Sequence, residues 1–309
     1  MLEDDNKRLA RLRPNLKRRA LILDFTREFF KNQDFLEVET PTRMPAVAPE
    51  PYIIPFESGD WFLSTSPELH MKRMLAAGYE KLFQFSHCFR KGERGRWHNP
   101  EFTMLEWYRA GADYDRIIRD IEELITALAK KLGFKNTVNY GGQAIEIRPP
   151  WPRTTVKDAF VSAAGWDPTG DCVARRFDID FVEKVLPSFN PRRPTVLVDY
   201  PSQMASLARL KPGDAAVAER AEVFIGGLEM ANAYSELADA AEQEKRFRET
   251  IGQIRKERDQ NMAMPQLFME SLARLPACGG VALGIDRVVM LLCDAPSIDD
   301  VMAFTADNA

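Results

Sequence analysis

The sequence predicts an α+β fold in which an antiparallel sheet is flanked by helices. Three observations point there. Segments with helical and strand periodicity do not alternate regularly, as a parallel doubly wound sheet would require. Several strand segments are separated only by short loops, which joins them as antiparallel hairpins. No internal repeat or flexible linker divides the 309 residues. One domain is therefore expected over residues 14–309, behind a polar tail at 1–13. With 45% hydrophobic and 28% charged residues, the chain has ample material for a sizeable core.

The elements follow in order. Residues 16–32 place Ile22, Phe25 and Phe29 on one helical face, with Asn15 as the expected N-cap. A short strand over 36–40 stops at Pro41, and further strands are expected at 52–56 and 61–65. A helix begins at Pro67, whose fixed φ suits a first helical position. Residues 81–89 and 101–109 form a hairpin across a charged loop, and 113–132 form a long helix ended by Gly133. The stretch 136–194 gives only short strand signals, a bend at Pro149-Pro150-Trp151-Pro152 and one or two helices. Strands resume at 195–200 and 219–234, the latter turning at Gly226-Gly227. A helix over 240–257 and a strand-to-helix junction over 279–292 close the chain.

Composition excludes several classes. No apolar run approaches the ~20 residues that span a bilayer. The segment Met1-Leu2-Glu3-Asp4-Asp5-Asn6-Lys7-Arg8 lacks the apolar core of a secretory signal, so a cytoplasmic address is expected. Cys88, Cys172, Cys278 and Cys293 are scattered, and with His70, His87 and His98 they give no zinc-ligand spacing. A net charge of −4 argues against a dedicated polyanion binder, although a local basic patch would suffice for RNA.

Three runs carry chemistry. From Glu101 the strand alternates, so Phe102, Met104, Glu106 and Tyr108 share one face. An aromatic ring, an acid and a phenol there suit an amine-bearing substrate, or a core-facing strand with a satisfied acid. The loop ahead of it carries Arg90, Arg96 and His98, which makes the far end of the hairpin cationic. Arginine's planar fork suits a phosphate. In the second run, a two-residue turn at Gly226-Gly227 sets Ile225 opposite Leu228 and Phe224 opposite Glu229. Glu222 and Glu229 then become diagonal neighbours, as a Mg²⁺ pair or as two surface acids. In an unbroken strand Asn232 and Glu236 would face away from Glu229. The third run, Gly279-Gly280-Val281-Ala282-Leu283-Gly284-Ile285-Asp286-Arg287, leads a glycine-bracketed strand into a helix with Arg287 near its start. It suits a closely approaching anion or ring, or simple strand-on-helix packing.

Together these runs resemble motifs 2 and 3 and the intervening acidic segment of class II lysyl-tRNA synthetases. Phe35-Leu36-Glu37-Val38-Glu39-Thr40-Pro41 resembles motif 1, the dimer-interface segment, which implies a homodimer. Because motif 1 arrives by residue 41, the anticodon-binding barrel is expected to be absent. The whole then resembles the elongation factor P–(R)-β-lysine ligase family, with a class II synthetase catalytic core.

The resemblance implies ATP and Mg²⁺, β-lysine as substrate and elongation factor P as acceptor, and it argues against tRNA. It implies Arg90 on the α-phosphate, with His98, Asn99 and Phe102 against the adenine and Arg287 stacked on its other face. Glu222 and Glu229 would hold the metal. Glu106, Tyr108 and Glu236 would hold the terminal ammonium, and Asn232 the carboxylate end. Gly284 would let the backbone lie close to the substrate. Placing Asn232 and Glu236 with Glu229 requires a bulge between Glu229 and Asn232. Ser66-Pro67-Glu68 and Ala282 stand where lysyl-tRNA synthetases usually show Ala-Pro-Glu and glycine, and would reshape the pocket near the reacting end. Gly92 stands where an acid is usual, so either Glu93 shifts into that place or the contact is lost. The rival readings are a stand-alone lysine-activating enzyme that charges tRNA, and a catalytically inactive synthetase-like regulator.

Overall fold

The computed structural model describes residues 4–170, 172–258 and 260–309. Among the described residues the main sheet has nine strands: β1 (Leu36–Glu37), β2 (Lys81–Phe89), β3 (Glu101–Ala110), β4 (Arg153–Thr155), β5 (Thr195–Pro201), β6 (Leu210–Lys211), β7 (Asp214–Ile225), β8 (Leu228–Ser235) and β9 (Cys278–Gly284). The spatial order is β1-β2-β3-β9-β8-β7-β5-β4, with β6 paired to β7. From β2 to β5 every neighbouring pair is antiparallel, as the short loops predict. The sheet is mixed only because β1 and β4 add in parallel at its two ends.

Alternation divides this sheet into two faces. Leu105 and Trp107 of β3, Val281 and Leu283 of β9, and Ala231 and Ala233 of β8 point to one side and are almost fully buried. They pack on Ile117, Ile121, Leu124 and Leu128 of the helix Tyr114–Lys131 and on the helix Ile285–Cys293. Asp113 caps the former by accepting a hydrogen bond from the Arg116 N–H. Phe30 of the first helix stacks on Phe83 at 4.7 Å and meets Trp107 at 5.2 Å. Burying each of these large side chains stabilises the fold by roughly 1.5–3 kcal/mol. On the opposite face the helices Glu68–Ala76, Ala240–Arg258 and Gln266–Leu272 cover one end around Leu69, Leu75, Phe247 and Phe268, and leave a cavity beside them.

Several elements depart from expectation. The first helix spans Asp5–Lys31, so residues 5–13 are helical rather than a loose tail; Met1–Glu3 lie outside the described residues. Asp4, not Asn15, accepts the capping bond, from the Lys7 N–H. Pro14 sits inside this helix, and the polar side chains around it dock on the C-terminal segment. Arg8 donates to the Ala303 carbonyl, Asn15 donates to the Asp300 carbonyl, and Arg11 pairs with the Asp300 carboxylate. Residues 52–56 form no strand. The chain turns there and enters the small sheet of Arg43–Met44, Trp61–Leu63 and Glu57–Ser58.

Candidate active site

The cavity of about 310 Å³ is floored by the polar face of the sheet. Register builds it. Glu106 of β3 lies opposite Gln84 on β2 and Ala282 on β9; Ala282 faces Asn232 on β8, and Asn232 faces Glu222 on β7. The parallel rows are Tyr108–Gly280–Tyr234 and Met104–Gly284. Phe102, Met104, Glu106 and Tyr108 therefore share one face and one cavity, as alternation predicts.

The turn at Gly226-Gly227 also pairs as predicted, Ile225 with Leu228 and Phe224 with Glu229. The register then shifts, so that Val223 faces Ala231 and Glu222 faces Asn232, with Met230 as the extra residue. This bulge reverses which side chains point into the cavity. It brings Glu229, Asn232, Tyr234 and Glu236 to the same lining, which an unbroken hairpin would not do. It also makes Glu222 the direct neighbour of Asn232 rather than of Ala231.

At one end the cavity is acidic and closed. Glu106 is 1% exposed and its two carboxyl oxygens accept hydrogen bonds from Ser66 at 2.6 Å and Tyr108 at 2.8 Å. Burial and then the Glu68 carboxylate push its pKa up to about 8, against those bonds and the charge of Lys72. Lys72 lies buried between Glu68 and Glu236, 2.5 Å from the latter. Burial works against its charge, but Glu236 and Glu68 outweigh it and keep the ammonium firmly protonated. The Ser66 hydroxyl, anticipated near the reacting end, is committed to Glu106 and to the Glu68 N–H.

At the other end the cavity is cationic and more open. Arg90 packs over the Phe102 ring at 5.2 Å, and its Nε is buried with no hydrogen-bond partner among the described residues. Gly92 takes φ +84°, a left-handed turn, and Glu93 lines the cavity 4.0 Å from Arg90. The acid thus enters one residue late. Arg287 donates to the Glu229 carbonyl at 2.6 Å and lies 2.6 Å from His98 Nε2, which must be the acceptor because a guanidinium has none to offer. Burial, and then Arg287, lower the His98 pKa and keep the ring neutral. Asp286 locks the two halves together: it accepts the Thr103 N–H at 2.8 Å and pairs with Arg19 of the first helix.

Not every expected residue offers a free group. Asn99 lines the cavity, but its side chain donates to the Glu101 carbonyl and accepts from the Ala306 N–H, so it holds the loop. Arg96 turns away to the Pro296 carbonyl. Gly284 lines the cavity, and an added Cβ would meet only Arg287, at ordinary contact distance. The indispensable glycine is Gly280, where a Cβ would fall 2.3 Å from the Tyr108 ring and 2.4 Å from Glu236 Oε1. Gly280, Lys72, Glu50 and Trp97 were not anticipated in the site. For Lys72 a signal existed, since it stands four residues after Glu68 on one helix.

Among the described residues no group of three or more His, Cys, Asp or Glu side chains is arranged to hold a metal ion. Glu222 pairs with Arg220 at 2.7 Å, and Glu229 lies 3.7 Å from Arg287. Burial raises the Glu222 pKa, Arg220 opposes, and the Glu229 carboxylate adds to the rise, so the two acids sense each other. Glu229 lines the cavity whereas Glu222 does not, lying opposite the cavity-lining Asn232; as hard oxygen donors the two acids suit Mg²⁺ in kind.

The family model for class II tRNA synthetases (D, K and N) matches residues 5–308. The chain belongs to this family. Among its relatives, the elongation factor P–(R)-β-lysine ligases of Salmonella dublin, Salmonella heidelberg (strain SL476) and Salmonella enteritidis PT4 (strain P125109) are each 37% identical over 315 residues, covering 96% of both chains. Membership in the family gives the architecture its function class, a ligase that uses ATP. No helix among the described residues is long and apolar enough to cross a membrane.

Proposed function

We propose that this chain activates β-lysine with ATP and transfers the acyl group to a lysine side chain of elongation factor P. The observation that carries this reading is that Arg90, Arg287 and Glu106 line one cavity, so a phosphate site and an amine site lie side by side. The relatives' name supports the substrate and the acceptor.

A substrate carboxylate oxygen attacks the α-phosphorus of ATP, and the bond to pyrophosphate breaks. The unpartnered Arg90 Nε suits the α-phosphate, while His98 and the Glu229 carbonyl fix the plane of Arg287 for stacking on the adenine. Positioning and charge neutralisation supply the acceleration. Glu222 and Glu229 would hold Mg²⁺, which when bound neutralises phosphate charge. Glu106, Tyr108 and Glu236 receive the terminal ammonium, and Asn232, which lines the same cavity, offers its amide N–H to the carboxyl end. The acceptor amine then attacks the acyl carbon, and AMP leaves. The same reading includes a homodimer through the segment at 35–41 and a cytoplasmic address.

The test is ATP–pyrophosphate exchange with β-lysine and with α-lysine, followed by labelled transfer to elongation factor P or to tRNA. Exchange is expected to favour β-lysine by about tenfold, the worth of one methyl-sized change in the pocket. Label is expected on elongation factor P. Label on tRNA, or no exchange with either amino acid, would sink the reading.

A further inference from the structure

Almost every acid that lines the cavity is already partnered. Glu68 and Glu236 hold Lys72, and Glu106 takes Ser66 and Tyr108. Glu93 and Glu229 face Arg90 and Arg287, and Asp286 takes the Thr103 N–H. The exception is Glu50, which lines the same cavity and has no hydrogen bond or ion pair among the described residues. A partly buried carboxylate that no group bonds is costly and calls for an explanation.

Its position is definite. Val47, Ala48 and Pro49, just before it, are buried. The segment after it is tied down by the Lys91 N–H, which donates to the Ile54 carbonyl at 2.7 Å, and by Arg258, which donates to the Ile53 carbonyl at 3.5 Å. The charged groups that act on Glu50 are Arg90 first, then Glu68, Arg220 and Glu93. Glu106 and Glu236 instead respond to Lys72 and Glu68. The Lys91 bond sets the Glu50 segment beside the residue that follows Arg90, so Glu50 lines the cavity on the Arg90 side, where the carboxyl group would react. Burial pushes Glu50 up to about 6, with Arg90 and Arg220 opposing and Glu68 and Glu93 adding, so it is anionic at neutral pH.

A diamino acid brings two ammonium groups. The terminal one has Glu106 and its neighbours; the other, near the carboxyl group, needs an anion at the reacting end. We propose that Glu50 receives this second ammonium and so reads where it stands on the carbon chain. The inference rests on the diamino-acid reading given above and adds a specificity-determining residue to it.

The experiment pairs Glu50→Gln with a substrate that lacks the second amine. 6-Aminohexanoate keeps the carboxylate, the terminal amine and the spacing of β-lysine. Its inhibition constant against β-lysine-dependent ATP–pyrophosphate exchange can be measured whether or not it is itself activated. Glu50→Gln is expected to raise KM for β-lysine about 10–100-fold, the worth of one charge-assisted hydrogen bond. The inhibition constant of 6-aminohexanoate is expected to stay within about twofold, which also shows that the variant is folded, and Glu50→Asp should recover part of the loss. Equal changes for both compounds, or none, would overturn the assignment. Normal exchange with slow transfer to the acceptor lysine would overturn it too, because Glu50 would then serve the acceptor amine. Wild-type enzyme that shows no exchange with β-lysine would instead remove the functional reading on which the assignment rests.

Discussion

At the acid end of the cavity the charges are buried and bonded to one another, whereas at the cationic end they are partly exposed and one keeps a free donor. The side chains of Lys72 and Glu236 are each 1% exposed; those of Arg90 and Arg287 are 22% and 19% exposed. The first arrangement exists as a set of mutual contacts before any ligand arrives. On the function proposed above, the second would be completed only by phosphates. The difference separates stability from catalysis: damage at the acid end should reach the fold, and damage at the cationic end should reach the reaction alone.

The strongest challenge to that contrast is Lys72→Met. It leaves Glu68 and Glu236 without their buried counter-charge, and is expected to cost about 3–5 kcal/mol of stability in chemical denaturation. An unchanged midpoint would mean that the acid end does not depend on this lysine. Arg90→Ala should do the opposite. Exchange is expected to fall about 10²–10³-fold, the usual worth of one preorganised group facing developing charge, with an unchanged unfolding curve.

A smaller effect sharpens the contrast through pH. The Glu106 carboxyl is raised from 4.5 to about 8 in the folded protein. Folding therefore keeps a proton that the unfolded chain has released, and wild-type stability falls as pH rises through this window, by at most about 1.4 kcal/mol per pH unit. Glu106→Gln never ionises, so its melting temperature relative to wild type should climb from pH 5 to pH 8 and then level off. Its KM for β-lysine should rise at every pH. A constant difference in melting temperature would show that Glu106 titrates normally.

Much of this was legible in the sequence, because alternation is local. The face shared by Phe102, Met104, Glu106 and Tyr108, the turn at Gly226-Gly227 and the motif-3 junction all follow from neighbouring residues. What escaped depends on distant pairing. No spacing rule announces that Lys72 reaches Glu236 as well as Glu68, or that Glu50 enters the cavity from a loop just after the buried Pro49. The first helix extends beyond the expected start at residue 16, because the polar residues before that point are held by contacts near residue 300. The sequence suggests a ligand's approach or strand-on-helix packing as the reason for the glycines of this run, but at Gly280 it is the crowding of Tyr108 and Glu236 against β9 that requires one.

The extra residue in β8 makes the chemistry depend on chain parity. Removing Met230 would rotate the rest of that strand half a turn, sending Asn232 and Tyr234 toward the apolar layer and turning Ala231 and Ala233 out. Most single replacements in this strand alter one contact. A change in its length would swap the whole set at once, so drift along this hairpin is confined to exchanges that conserve count.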